Sequence, residues 1–584
     1  MPTSPLLDRE ITSTEAIVRV LAEAGVDTLF GMSGGDTGRI FSRLAHHTDL
    51  VRTVLVRNEA HATSAAESYA RATGRVGVAM GQGTWIVGQG IVGILEAQAS
   101  GTPLVLLSDL TDGRPYAQHA PYQSGTGDYG NWDARAAFAA VTKRVFVATT
   151  PAEAVQSVQL AFKHALTGQP GPVAVLFSSA SLAGTVSPDS VPRLYATSAY
   201  LPRRVVSAPD VDALVDALRA GRAPVILSGG GLRLSGAEER LRLVAEATGA
   251  AVVTTPAGKG TFPEDHPQAG GVFGNFGTTL ANDLLGTADV VVVVGSKLGP
   301  SDTANEATGI LDPSRQRIVQ VDIEPLHASW TMPTAEVVVA DAGAALDGVL
   351  DAFASEPLAA ETVHERRSAI GERARTVAAG EPSSADSATS PLHPQRAIAE
   401  LRAALPDDVI VTCDAGENRL LMSRYFTSRR TGGYLQPAGA GGMGYAIPAA
   451  IGAKTAHPDR VVVAVCGDGG FSMSLPALLT AVEEGLPIVV VVLDNGILGW
   501  VQHSQRARGE LEFKSTLHKF DYAGIAEAAG FAAWRVSDPG ELEAAVGAAV
   551  AADRPAIVVA QVSTEQTFVD LRTPHLAGAA PVRR

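Results

Sequence analysis

VVVAVCGDGGFSMSLPALLTAVEEGLPIVVVVLDNG, residues 461–496, decides how this chain folds. Its two apolar runs, 461–466 and 487–493, are too evenly apolar to have a wet face. Such runs read as strands buried on both sides, the habit of parallel sheets covered by helices. The first run ends in Gly467-Asp468-Gly469-Gly470 and leads into a helix; the second ends in Asp494-Asn495-Gly496. In a doubly wound sheet the carboxyl ends of parallel strands line one edge, and ligands bind there. The pattern therefore brings Asp468 and Asn495 together, one carboxylate and one amide oxygen. These are hard ligands suited to Mg²⁺, which completes its shell with phosphate and water. Gly467, Gly469 and Gly470 let main-chain N–H groups approach an anion, and the following helix offers its positive end.

The same alternation of β-branched runs and helix-like stretches extends in both directions and predicts an α/β protein of three doubly wound parallel-sheet domains. The third block, 395–584, opens with a helix near 395–404 and has strands at 409–413, 461–466, 487–493 and 556–562. Residues 356–394 form a linker, ending in the polar stretch EPSSADSATSPLHP at 381–394. The middle block, 205–355, has strands at 224–228, 251–255, 290–295 and 317–323. The first block, 1–185, opens with a capping box from Thr12 to Glu15 ahead of an amphipathic helix carrying Ile17, Val18, Val20 and Leu21. Its strands fall at 28–32, 51–56, 76–80, 103–107 and 172–177. The first and third blocks share a strand–helix rhythm.

Composition narrows the partners. Of 584 residues, 46 are basic and 61 acidic, a net charge of −15. That balance argues against a nucleic acid or an anionic membrane as partner, while a local pocket can still take a small anion. Cys413 and Cys466 close apolar runs and read as buried reduced thiols. The first residues, MPTSPLLDREITSTEA, show no basic stretch followed by an apolar one, and no run approaches the length of a membrane span. The expectation is a cytoplasmic protein.

Three further stretches carry a resemblance. They are DAGEN at 414–418, the glycine-rich QPAGAGGMGYAIPAAIGAK at 436–454, and RNEAHATSAAESYARATGR at 57–75. With the Asp468–Asn495 pair, they resemble the thiamine-diphosphate-dependent enzymes, and the pattern from Glu59 to Gly74 resembles the acetolactate-synthase-like group. GKGTFPEDHP at 258–267 and QVDIEP at 320–325 extend the likeness through the middle block. The resemblance implies a pyrimidine-binding domain at 1–185, a central domain at 205–355 and a diphosphate-binding domain at 395–584. It implies that Asp468, Asn495 and the carbonyl of Ile497 hold Mg²⁺. Gly416, Glu417 and Asn418 would place main-chain donors near the diphosphate. Gly441 would offer its carbonyl to the cofactor's amino group, and Met443 would wedge beneath the bent cofactor. Glu59 would share a proton with a pyrimidine nitrogen, a role that needs a desolvated carboxyl. Gly34 and Gly35, in GMSGG at 31–35, and Gln123 would face the reaction centre, with His119 a looser match. Glu59 comes from one subunit and the metal site from another in this family, so a homodimer is the smallest active unit, with a tetramer also compatible.

The implied activity is decarboxylation of a pyruvate-like 2-oxo acid and joining of the remaining carbanion to a second carbonyl. The rival is a 2-oxo acid decarboxylase that protonates the carbanion. A silent cofactor-binding paralogue is disfavoured by intact Glu59, Asp468 and Asn495. A Rossmann oxidoreductase is disfavoured by the lack of a G-x-G-x-x-G after a first strand. Lys297 and Ser301 stand where FAD-holding members usually carry arginines, which argues against FAD without removing it. Ser504 stands where acetolactate synthases of branched-chain synthesis carry a tryptophan, and Trp500 lies one helical turn earlier, so the substrate pocket should differ in shape.

Overall fold

Residues 4–113, 122–201 and 206–572 are described by the computed structural model, and there the apolar runs are strands. They form three six-stranded sheets in which every pairing is parallel. The first sheet runs, edge to edge, Arg52–Leu55, Thr28–Gly31, Gly77–Met80, Leu104–Asp109, Pro172–Phe177, Arg144–Ala148. The third runs Tyr434–Leu435, Ile410–Cys413, Val462–Gly467, Ile488–Asp494, Ala556–Gln561, Ala532–Val536. Numbered in chain order within each sheet, both have the order 2-1-3-4-6-5. The shared rhythm of the first and third blocks is thus a shared topology. The middle sheet runs Ala269–Val272, Ala251–Thr254, Pro224–Ser228, Val290–Val294, Arg317–Asp322, Glu336–Val339, the order 3-2-1-4-5-6.

Central strands such as Val290–Val294 and Ile488–Asp494 are buried at every position, which is why unbroken apolar runs revealed them. Each fully buried valine contributes about 1.5–3 kcal/mol relative to exposure. Five edge strands were not read from the sequence: Arg144–Ala148, Ala269–Val272, Glu336–Val339, Tyr434–Leu435 and Ala532–Val536. Ala269–Val272 alternates half-buried and buried positions, Arg144–Ala148, Glu336–Val339 and Ala532–Val536 bury one position each, and Tyr434–Leu435 is only two residues long.

The capping box at the first helix, Ser13–Glu23, is half formed. Thr12 Oγ1 accepts the Glu15 N–H at 3.2 Å, but the Glu15 carboxylate pairs with His47 and Arg43 instead of returning to Thr12. A full reciprocal box opens helix Pro151–Leu166, from Thr150 to Glu153. Inside the segment expected as a linker lies helix Ala360–Gly380. Its buried Arg366 donates to the carbonyls of Thr248 and Gly221, so it is anchored to the helices around the middle sheet. Cys413 and Cys466 are buried and unpaired with each other, and burial pushes the Cys413 thiol up to about 12. Among the described residues no helix is long and apolar enough to cross a membrane.

The contacts divide the chain into two units. One comprises Met1–Arg203 with Ala438–Pro458 and Ser474–Leu486, and holds the first sheet. The other comprises Arg204–Pro437, Asp459–Met473 and Pro487–Arg584, and holds the middle and third sheets. Helices Ala446–Ala456 and Leu475–Glu483, which alternate with strands of the third sheet in sequence, therefore belong to the unit of the first.

Candidate active site

At the carboxyl edge of the third sheet, strands Ile410–Cys413, Val462–Gly467 and Ile488–Asp494 end side by side. Asp468 follows the second and is 2% exposed. Its carboxylate accepts the N–H of Gly469 at 2.9 Å and that of Gly496 at 2.8 Å, so the loops bearing Asp468 and Asn495 meet. Burial, and next the carboxylate of Asp494, push the Asp468 carboxyl up to about 7. Asp494 was not singled out in the sequence; it also receives the Gln561 amide at 2.6 Å. Two buried carboxyls facing each other lack positive charge, and a divalent cation fits that donor set. Asn495 Oδ1 accepts the N–H of Ile497 at 3.2 Å, folding that stretch into a tight turn beside Asp468. Among the described residues no three His, Cys, Asp or Glu side chains cluster as metal ligands. A site drawn from a carboxylate, an amide oxygen and a main-chain oxygen does not need them.

Gly416 precedes helix Glu417–Tyr425 with φ 97° and no side-chain cap, which leaves the first N–H groups of that helix for an anion. Asn418 turns its amide to the Asp414 carbonyl at 3.1 Å, and Asp414 is itself buried. The Glu417 side chain is already engaged: it binds His503 and the main-chain N–H of Phe568.

The first sheet forms a second cluster at its own carboxyl edge. Glu59 is the first residue of helix Glu59–Thr73, after Asn58, whose side chain caps Ala60 N. The Glu59 residue is 2% exposed, and burial raises its carboxyl above the ordinary value of 4.5. That is the desolvated carboxyl the chemistry requires. Gly81, at the end of strand Gly77–Met80, abuts the Glu59 side chain, and Gln82 beside it reaches Gln123 Oε1 at 2.9 Å. Gly34 lies against Gln82. Gly35 has φ 54°, and a Cβ there would lie 2.2 Å from the buried Asp109 carboxylate, which accepts the N–H groups of Asp36, Thr37 and Gly83. Gln82 and Asp109 were not foreseen. His119 lies outside the described residues.

From Ala438 on, the glycine-rich stretch belongs to the same unit as Glu59. Gly441 has φ 72° and is held by Glu96, a residue absent from the sequence reading. The buried Glu96 carboxylate accepts the N–H groups of Gly439, Ala440 and Gly441 at 2.8, 2.8 and 3.2 Å. Four residues on, buried Tyr445 donates to Glu67 at 2.6 Å, and Ser68 donates to the Ala449 carbonyl at 2.7 Å. The helix that begins with Glu59 is thereby fastened to the loop that carries Gly441. Met443 is 36% exposed and precedes the helix by three residues, so it is not a core methionine.

Three family models match the chain in order: the thiamine pyrophosphate enzyme N-terminal TPP binding domain at 11–126, the central domain at 211–349 and the C-terminal TPP binding domain at 414–560. A probable acetolactate synthase large subunit of Methanocaldococcus jannaschii is 31% identical over 93% of this chain and 90% of its own length. The chain belongs to the thiamine-diphosphate-dependent enzymes. Within them it is acetolactate-synthase-like. The acetolactate synthase isozyme 3 large subunit of Escherichia coli is 30% identical over 92% of both chains. A putative thiamine pyrophosphate-containing protein of Bacillus subtilis is 27% identical over 95% of this chain and 92% of its own.

Trp500 and Ser504, the residues expected to reshape the substrate pocket, lie on helix Gly499–Ala507. Trp500, 40% exposed, stacks on Phe568 with centroids 4.5 Å apart and meets the edge of Phe276 at 5.8 Å. Ser504, one turn on, is half-buried. In the middle block, GKGTFPEDHP proves to be a clamp. Buried Lys259 binds both Glu264 oxygens and the Phe426 carbonyl, each at 2.7 Å, while Glu264 also receives the Ser428 N–H. Lys297 is desolvated and shares its field with Asp302, which burial pushes up to about 6, and with Asp322. The Arg419 guanidinium also acts on Asp302, so two carboxyls there face two cations.

Proposed function

We propose that this enzyme decarboxylates a pyruvate-like 2-oxo acid and joins the remaining unit to a second carbonyl, with Mg²⁺ and thiamine diphosphate bound. The cofactor, when bound, supplies an electron sink beside the carbonyl. The chain's residues bind and orient it. Asp468, Asn495 and the Ile497 carbonyl would hold the metal, and the N–H groups after Gly416 and Gly467 the diphosphate. Gly441 would take the amino group on its carbonyl, Met443 would support the bend, and Glu59 would hold a proton for the pyrimidine nitrogen. Gly34, Gly35 and Gln123 would face the reacting carbon. The observation that carries this reading is the meeting of the Asp468 and Asn495 loops through the 2.8 Å hydrogen bond from Gly496, leaving buried carboxyls that call for a cation.

The residue ranges 1–185, 205–355 and 395–584 would be the pyrimidine-binding, central and diphosphate-binding domains, in at least a homodimer acting in the cytoplasm. The test is mass spectrometry of products from a panel of 2-oxo acids and carbonyl acceptors, with thiamine diphosphate and Mg²⁺ supplied. Ligated hydroxy-ketone products are expected. Free aldehyde as the sole product, with acceptors present, would make the enzyme a simple decarboxylase instead.

A further inference from the structure

Helix Gly499–Ala507 begins just after the Asn495 turn and carries the histidine of a carboxylate–histidine pair whose side chains the reaction outlined above leaves unused. His503 is 2% exposed, and its Nδ1 lies 2.8 and 2.9 Å from the two Glu417 oxygens. The Glu417 carboxylate is fixed. Its Oε1 accepts the Phe568 N–H at 2.9 Å, and its Oε2 lies so near Gly499 that a Cβ there would sit 2.3 Å away. Bound to a carboxylate, Nδ1 carries its hydrogen. His503 Nε2 is buried and has no hydrogen-bond partner among the described residues. Folds leave few buried polar atoms unpaired, and those they leave often serve a bound molecule. Trp500 and Ser504 lie on the same helix within one turn, and the Phe568 that Trp500 stacks on is the residue whose N–H holds Glu417.

We infer that His503, oriented by Glu417, is a further catalytic residue that carries the proton for the acceptor half of the reaction. This rests on the carboligation reading above. As the new carbon–carbon bond forms, the π pair of the acceptor carbonyl moves to its oxygen. When the carbonyl of the product is formed again, the donor-derived hydroxyl releases one proton to the lone pair of Nε2, and Nε2 passes it to the acceptor oxygen. The proton released equals the proton gained, so one ring nitrogen serves both transfers and no outside oxidant or base is consumed.

The holoenzyme, given pyruvate and an aldehyde acceptor, tests this by separating ligated product from free aldehyde. His503→Gln keeps a polar group of similar size but cannot carry the proton. It should lower ligation by roughly 10²-fold, while consumption of the donor acid and calorimetric affinity for thiamine diphosphate change little. His503→Ala should regain ligation with added imidazole, which a purely structural role would not allow. A readout independent of turnover uses protein labelled with ¹⁵N-histidine. The His503 Nε2 resonance, assigned by its absence from His503→Gln, should move when the acceptor aldehyde is added to cofactor-loaded enzyme. Undiminished ligation by His503→Gln, or an Nε2 resonance indifferent to the acceptor, would overturn the inference. If the wild type ligates nothing, the carboligation reading fails first, and the Nε2 response to bound pyruvate then decides whether His503 touches substrate.

Discussion

Glu59 is a carboxyl that the fold holds against its own preference for water. Burial raises its pKa above 4.5, so the folded chain keeps a proton that the unfolded chain has already released. Stability therefore falls as pH rises from about 4.5 through the folded pKa, and the loss persists above it. Glu59→Gln removes that loss. It should melt higher than wild type at neutral pH and level with it below pH 4.5, as thermal scans of cofactor-free protein across pH would record. The same variant should lose roughly 10²–10⁴-fold in turnover. Equal melting at all pH values would show that the carboxyl is not desolvated; full turnover would remove its catalytic role. At the other cluster, Asp468→Ala and Asn495→Ala should each weaken thiamine diphosphate binding when Mg²⁺ is present. Calorimetric titrations with and without the metal would check this, and unchanged affinity in both variants would contradict the metal site.

Among the elements, the 439–441 loop depends on one side chain from a distant helix. Glu96 accepts three successive N–H groups, and a buried donor left unsatisfied costs about 1–3 kcal/mol. Glu96→Ala should therefore speed hydrogen exchange at Gly439–Gly441 and weaken cofactor binding, because the Gly441 carbonyl is no longer set. Exchange rates matching wild type at these amides would show that the loop holds itself. The edge strands teach a related lesson. Glu336–Val339 buries only Val338, because one flank has no neighbouring strand, and its run of three valines is shorter than that of Val290–Val294. Pairing with Arg317–Asp322 makes it a strand.

For the molecule as a whole, the acceptor is the open choice. On the family resemblance, Ser504 would leave space where the acetolactate synthases of branched-chain synthesis carry a tryptophan, and Trp500 would add its bulk one turn earlier. Its ring is committed to a stack on Phe568 with Phe276 at its edge. Apolar pocket changes of one methylene shift preference by about 1–3 kcal/mol. With pyruvate as donor, this enzyme should not favour 2-oxobutyrate over pyruvate as acceptor in direct competition. A strong preference for 2-oxobutyrate, with rescue of a branched-chain auxotroph, would mean that Trp500 fills the old tryptophan's place after all.

The sequence by itself determined the buried strands of all three sheets, since a strand covered on both faces must be apolar throughout. It also brought forward Asp468 and Asn495 as candidates, because a turn after a buried strand has few residues in which to place a ligand, and Glu59 through the family pattern that it opens. The tertiary structure alone decided what lies opposite them. Glu96 sits in an ordinary apolar helix, 343 positions from the glycine it holds. Glu417 and His503 are 86 apart, and Asp468 meets Gly496 across 28. Such contacts leave no periodic trace in the chain. They arise only when parallel strands end side by side and bring their loops to one edge, which also decided that two helices of the third block pack with the unit of the first.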